Sequence, residues 1–193
     1  MNFKFDLTGQ LTIENDSPFA NLEFNGNEVN IEIKDYRDLN YKYNSIASIE
    51  MIEAVGEKYL DQYFSTIKNN LKPNGVGAIQ AIIIKDELFK RYRKNQDFIQ
   101  SYIFPGGFLP SLESLQNYSK RTGLVLKDYN SYGKHYSKTL SKWRKNFINS
   151  WSQISDQGFD NSFKKIWDFY FSYCEAGFNS KNIDLIQFSV RNK

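Results

Sequence analysis

SIEMIEAVGEKYLDQYF, residues 48–64, reads as a buried strand that runs straight into an amphipathic helix. Residues 45–49 are an apolar run of strand length, and from 57 to 71 the apolar side chains return at helical spacing. Two carboxylates, Glu50 and Glu53, stand at the junction. In open α/β folds ligands bind at the carboxyl ends of strands, which is where this junction lies. A plainer reading of the same pair is that first-turn acids complement the helix dipole, an effect of about 0.3–1 kcal/mol each.

Working outward, the helix stops at Lys72-Pro73-Asn74-Gly75, and a second apolar run of strand length follows at 76–84. Strand, helix and strand with short links predict a right-handed crossover in a parallel sheet. A further unit follows, with a helix near 111–122 and a strand near 124–129. Upstream, Val29, Ile31 and Ile33 alternate with Asn30, Glu32 and Lys34, the period of a strand. Leu140, Trp143, Phe147, Trp151 and Ile154 lie opposite Lys138, Lys142, Lys145 and Asn149, which predicts a basic amphipathic helix over 136–154. The next helix carries Phe163, Ile166, Trp167, Tyr170 and Cys174 on one face and Phe169, Phe171 and Tyr173 on others. A helix so apolar all round is buried or meets something greasy. IDLIQFSV, 183–190, closes the chain as a last strand. Gly75-Val76-Gly77 is not a cofactor loop, because it follows a helix and precedes a strand.

With 193 residues, 40% of them hydrophobic, the chain suffices for one sizeable core, so a single domain over 1–193 is expected. Its one cysteine, Cys174, excludes an intrachain disulfide and a cysteine-based zinc cluster, and fits a reducing compartment. No metal site is expected. The run 76–84, interrupted by Gln80, is too short to span a bilayer, and the start MNFKFDLTGQ has no signal-peptide pattern. A cytoplasmic protein is the expectation. Charge is uneven: residues 85–145 hold 13 Lys/Arg against 5 Asp/Glu. Such a half faces anionic lipid headgroups or is simply a solvated surface. The Lys and Arg residues form no recognition module, so nucleic acid is not an expected partner.

Together with DFIQSYIFPGGFLPS (97–111), YGKHYSKTL (132–140) and YCEAGF (173–178), the opening stretch closely resembles the cyclopropane-fatty-acyl-phospholipid synthase family. The resemblance implies an α/β fold: a Rossmann-like class I S-adenosylmethionine-dependent methyltransferase sheet, of strand order 3-2-1-4-5-7-6, with extra C-terminal helices. It implies transfer of a methylene or methyl group to the double bond of unsaturated phospholipid acyl chains in lipid biosynthesis. On that mapping strand 2 is 11–13, strand 3 is 29–34, strand 4 is 45–49, strand 5 is 76–84, strand 6 is 124–129 and strand 7 is 183–190. The family's first strand and its glycine-rich cofactor loop have no counterpart here, so the domain reads as N-terminally truncated.

The resemblance implies that methyl transfer leaves a cationic centre and that a bicarbonate held in the site takes the proton that is then lost. The matching positions here are Glu53, Tyr136, Gln80 and Ile82. A glutamate can accept and a tyrosine can donate hydrogen bonds to such an anion. Well-studied members carry histidine where Gln80 stands, and a glutamine cannot titrate. Glu50 remains open between a site role and a helix-dipole role, Tyr136 by spacing alone reads as core, and His135 reads as exposed. Pro105-Gly106-Gly107 reads as a turn that the resemblance places near the substrate entrance. For the cofactor, S-adenosylmethionine, the resemblance points to Asp35 as an acceptor for the adenine amine and Tyr36 as a ring face, with Thr12 kept from a stretch after strand 2. Cys174 is no substitute for the cysteine such enzymes place near the site.

Without a central strand the chain alone is expected to be inactive. It would then be a remnant, or one half of a split enzyme whose N-terminal half is encoded separately. The Trp-containing basic helix adds a third expectation, peripheral binding at the inner face of the membrane.

Overall fold

The computed structural model describes residues 34–193 in full, and upstream the backbone of 2–5, 11–14, 19–24 and 27–32. The chain separates into two compact units, residues 1–39 and 40–193.

In the first unit β1 (Asn2–Phe5) pairs antiparallel with β2 (Leu11–Glu14), and β3 (Phe19–Phe24) pairs antiparallel with β4 (Asn27–Glu32). The strands expected over 11–13 and 29–34 are therefore members of two local two-stranded sheets, not strands 2 and 3 of a parallel sheet. The register Phe24↔Asn27 leaves only residues 25–26 between β3 and β4. Their sequence is Asn-Gly, the pair that two-residue hairpins favour, so near-neighbour pairing wins over a long crossover. A 3-10 turn, Tyr36–Asp38, ends this unit.

The second unit begins with β5 (Tyr43–Ile49), α1 (Ile52–Val55), a 3-10 turn (Glu57–Tyr59), α2 (Leu60–Asn70) and β6 (Leu71–Ile84). It continues with α3 (Asp86–Tyr92), α4 (Phe98–Tyr102), α5 (Leu112–Arg121) and β7 (Leu124–Ser131). It ends with α6 (Gly133–Asn149), α7 (Trp151–Ser155), α8 (Asn161–Asn179) and β8 (Ile183–Asn192). One four-stranded sheet has the order β5-β6-β8-β7, with β5 and β6 parallel and β8 antiparallel to both neighbours. This is the 4-5-7-6 part of the expected strand order.

Three local readings are corrected. β5 is largely exposed rather than buried: Ile49 is 61% exposed, and among the described residues β5 pairs only with β6. The strand does not run straight into a long helix, because Gly56 at φ +78° separates α1 from the turn that opens α2. Residues 72–75 do not end β6's approach as a free turn but form an irregularity within it, between the registers Tyr43↔Leu71 and Ser45↔Val76. Gly75 is needed there, since a Cβ would stand 2.9 Å from the Lys72 carbonyl oxygen and 3.1 Å from that of Asn44. The basic helix over 136–154 is also broken at Ser150, into α6 and α7.

Leu60, Tyr63, Phe64 and Ile67 recur at helical spacing and form the buried face of α2. Ile67 and Val190 close over Gly77, and Phe64 stacks on Tyr118 of α5 at 6.3 Å. On β6 and β8, Ile79, Ala81 and Ile83 alternate outward with Ala78, Gln80 and Ile82, and are buried with Ile186, Phe188 and Val190. A second cluster, Leu140, Phe171, Phe178 and Leu185, joins α6 and α8 to β8, with Ile82, Tyr136 and Tyr170 at its border. Arg144 reaches Asp168 at 2.6 Å and ties the two helices together. Only part of α8 is covered: Phe169 and Tyr173 are exposed beside Phe98 of α4.

Candidate active site

β5 ends opposite Gln80, with the Glu50 amide donating to the Gln80 carbonyl at 3.0 Å. Glu50 then turns out of the strand at φ +48°, a left-handed backbone that costs a non-glycine residue on the order of 1–3 kcal/mol. Past β5 its carboxylate meets donors from two other elements. Gln80 Nε2 donates to Glu50 Oε1 at 2.7 Å, and the Tyr136 hydroxyl donates to Glu50 Oε2 at 3.0 Å. Gln80 is itself oriented by Gln187 Nε2, which donates to Gln80 Oε1 at 2.7 Å.

Glu53 sits one helical turn further on. Because β5 has ended, the Ile82 amide lies past the parallel ladder, and it donates to Glu53 Oε1 at 2.5 Å. Among the described residues Glu53 Oε2 is buried without a hydrogen-bond partner. Burial raises the Glu53 carboxyl above its ordinary range, opposed by the Ile82 amide and helped by the Glu50 charge. The Glu53 carbonyl accepts from the Phe108 amide at 2.9 Å, which ties the segment after Pro105-Gly106-Gly107 to α1.

Tyr136 is carried by α6, packed on Phe178 at 5.0 Å, and burial and then the Glu50 charge hold its hydroxyl above the ordinary range. Tyr170 of α8 is raised in the same way by burial, Cys174 and Glu50. Burial and then Asp97 push the Cys174 thiol up to about 12, so it is no ready nucleophile.

The structure thus brings Glu53 to the Ile82 amide, and Gln80 and Tyr136 to Glu50. Glu50, left open by the sequence, is the acceptor on which the other two converge. Gln187 was not singled out at all. Its signal is weak: a single amide in the apolar strand 183–190, whose partner depends on the register of β8.

Asp35 and Tyr36 lie in the first unit. The Asp35 carboxylate accepts from the Arg37 backbone amide at 2.9 Å and from its guanidinium at 2.9 and 2.5 Å, and these bonds hold it down to about 2. An aromatic ring beside a carboxylate suits an adenine in type. The side chain of Thr12 lies outside the described residues. The donors implied for a bicarbonate, Gln80, Tyr136 and the Ile82 amide, each already serve a carboxylate of the chain itself. The residues present do not fit a further anion at that place.

Residues 14–188 match the mycolic acid cyclopropane synthetase family. This chain belongs to that family. It is 39% identical over 166 residues to tuberculostearic acid methyltransferase UfaA1 of Mycobacterium tuberculosis, a match that covers 86% of this chain and 39% of that protein. It is 32% identical over 186 residues to the cyclopropane-fatty-acyl-phospholipid synthase of Escherichia coli, covering 96% and 47%. The chain therefore spans less than half the length of these two relatives. Among solved structures, mycolic acid cyclopropane synthase CmaA1 complexed with SAH and CTAB superposes with a TM-score of 0.74 at 26% identity, covering 83% of this chain and 59% of that one. The fold is that of a class I methyltransferase of this family, over the strands of the second unit.

Proposed function

We propose that this chain forms the acyl-substrate side of an S-adenosylmethionine-dependent methyltransferase that modifies the double bond of unsaturated phospholipid acyl chains. The observation that carries the reading is the convergence of the Tyr136 hydroxyl and the Gln80 amide on Glu50, beside a buried Glu53, at the carboxyl end of β5. When bound, S-adenosylmethionine would supply an electrophilic methyl group. Transfer of that methyl to an alkene carbon would leave positive charge on the neighbouring carbon. Tyr136 and Tyr170, both near Glu50, would offer that charge ring faces worth about 0.5–2 kcal/mol each, and neither hydroxyl ionises near neutral pH. Tyr36 and Asp35 would serve the adenine.

The open edge of β5 among the described residues supports a second part of this reading: a further strand, paired there, completes the catalytic unit. Unpaired backbone groups on such an edge are a template for another strand. Among the described residues no helix is long and apolar enough to cross a membrane. Access to phospholipid would come by docking at the surface of the membrane's inner face, and the exposed aromatics of α4 and α8 and the lysines of α6 support this.

The test is methyl transfer from labelled S-adenosylmethionine to vesicles containing unsaturated phospholipid. The chain is assayed alone and with a co-expressed segment bearing a first strand and glycine-rich loop. Labelled lipid only in the second case is the expected result. No labelled lipid in either refutes the reading, and label with the chain alone refutes the need for a partner.

A further inference from the structure

We infer that the Glu50 carboxylate is this chain's own replacement for a free anion at the site, and is the proton acceptor of the reaction. The inference rests on the reading above for its chemistry, but the occupancy it asserts stands on geometry. Two neutral donors from separate elements, the Gln80 amide on β6 and the Tyr136 hydroxyl on α6, converge on one carboxylate at 2.7 and 3.0 Å. A third residue, Gln187 on β8, sets the Gln80 amide with its NH2 group toward Glu50. The second carboxylate, Glu53, takes the Ile82 amide at 2.5 Å. A left-handed backbone at Glu50 is what turns its side chain from the sheet edge to these donors. Strain kept at a position where the side chain gathers donors points to a use for that side chain. Each of the three donors, Gln80, Tyr136 and the Ile82 amide, is thereby taken by a carboxylate of the chain.

The step balances without a further reactant. The methyl–sulfur bond breaks as the new carbon–carbon bond forms. A C–H bond then breaks, on the transferred methyl carbon where a ring closes or on a carbon adjacent to the cationic centre where a double bond forms. Its electron pair closes a ring or forms a double bond, and the proton passes to Glu50.

Glu50→Gly gives a clean test, because glycine accepts φ +48° and the fold survives loss of the carboxylate. Binding of 13C-labelled bicarbonate is followed by NMR on both proteins. Wild type is expected to show no saturable binding, and Glu50→Gly to gain it, since the Tyr136 and Gln80 donors are released. In the assembled enzyme, Glu50→Gly is expected to lose methyl transfer at least 100-fold in bicarbonate-free buffer and to recover part of it on adding bicarbonate. Glu50→Gln, which fills the place without a basic carboxylate, should lose it without recovery. Saturable bicarbonate binding by wild type, or equal binding by wild type and Glu50→Gly, overturns the inference. This binding contrast decides it even if the methyl-transfer reading fails.

Discussion

Gln187 lies directly across from Gln80 in the antiparallel register of β8 and β6, and its side-chain amide donates to the Gln80 oxygen at 2.7 Å. That bond decides which end of the Gln80 amide faces Glu50. Reversing it is the sharpest perturbation available. Gln187→Glu presents an acceptor, so Gln80 turns and points its own oxygen at the Glu50 carboxylate. We expect methyl transfer by the assembled enzyme to fall about tenfold or more, as when a hydrogen bond to a charged group is lost. Gln187→Ala should cost less. Gln187 is exposed, so thermal stability should move little in either variant, and kcat measured against melting temperature separates orientation from folding.

Glu53 makes stability depend on pH in an uncommon direction for a carboxylate. Burial raises its folded pKa above the ordinary 4.5. Between the two values the folded chain keeps a proton that the unfolded chain releases, so the stability it contributes is present below 4.5 and is lost as pH rises through the folded value. The slope from one group is at most about 1.4 kcal/mol per pH unit. Glu53→Gln should flatten it, as measured by urea unfolding across the acidic to neutral range. An unchanged profile would show that Glu53 is not the titrating group.

Gly133 opens α6 and leaves no room for a side chain. Its amide donates to Asp184 Oδ1 at 2.8 Å, and a Cβ at this position would collide with that same oxygen. Gly133→Ala should destabilise by about 1–3 kcal/mol, the range of an overpacked buried position. Since α6 also carries Tyr136, the activity of the folded fraction should fall as well. Denaturant titration and activity per folded molecule test the two effects separately.

The exposed aromatics give a surface prediction. Tyr102, 67% exposed, and Phe169, 51% exposed, flank Phe98, whose ring centroid lies 4.7 Å from that of Phe169. Replacing Tyr102 and Phe169 by serine should weaken co-sedimentation with anionic phospholipid vesicles about tenfold, since partial burial of two rings is worth at least about 1.4 kcal/mol. Melting temperature should barely change. Replacing Lys138, Lys142 and Lys145 by glutamine should weaken binding to anionic vesicles alone and make it less salt-sensitive.

Much of the second unit is legible in the sequence because its signals are local. The buried face of α2, the apolar run of β6 and the cap at Ser111 each lie within a few residues, where periodicity and capping chemistry act. The motifs around 48–64 and 132–140 also mark the family, and with it the order of the four strands. In the first unit 29–34 carries a strand signal and 11–13 a strand expected from the resemblance, but strand period says nothing about the partner, and the Asn-Gly pair at 25–26 favours a local hairpin. The site depended on the tertiary structure most of all. Glu50 and Tyr136 are 86 residues apart in the chain, and Gln80 and Gln187 are 107 apart. No spacing rule reaches that far. Which carboxylate meets Tyr136 was settled by where β5 ends, by the left-handed turn at Glu50 and by the register of β8, because only sheet pairing and helix packing bring such distant side chains to hydrogen-bonding distance.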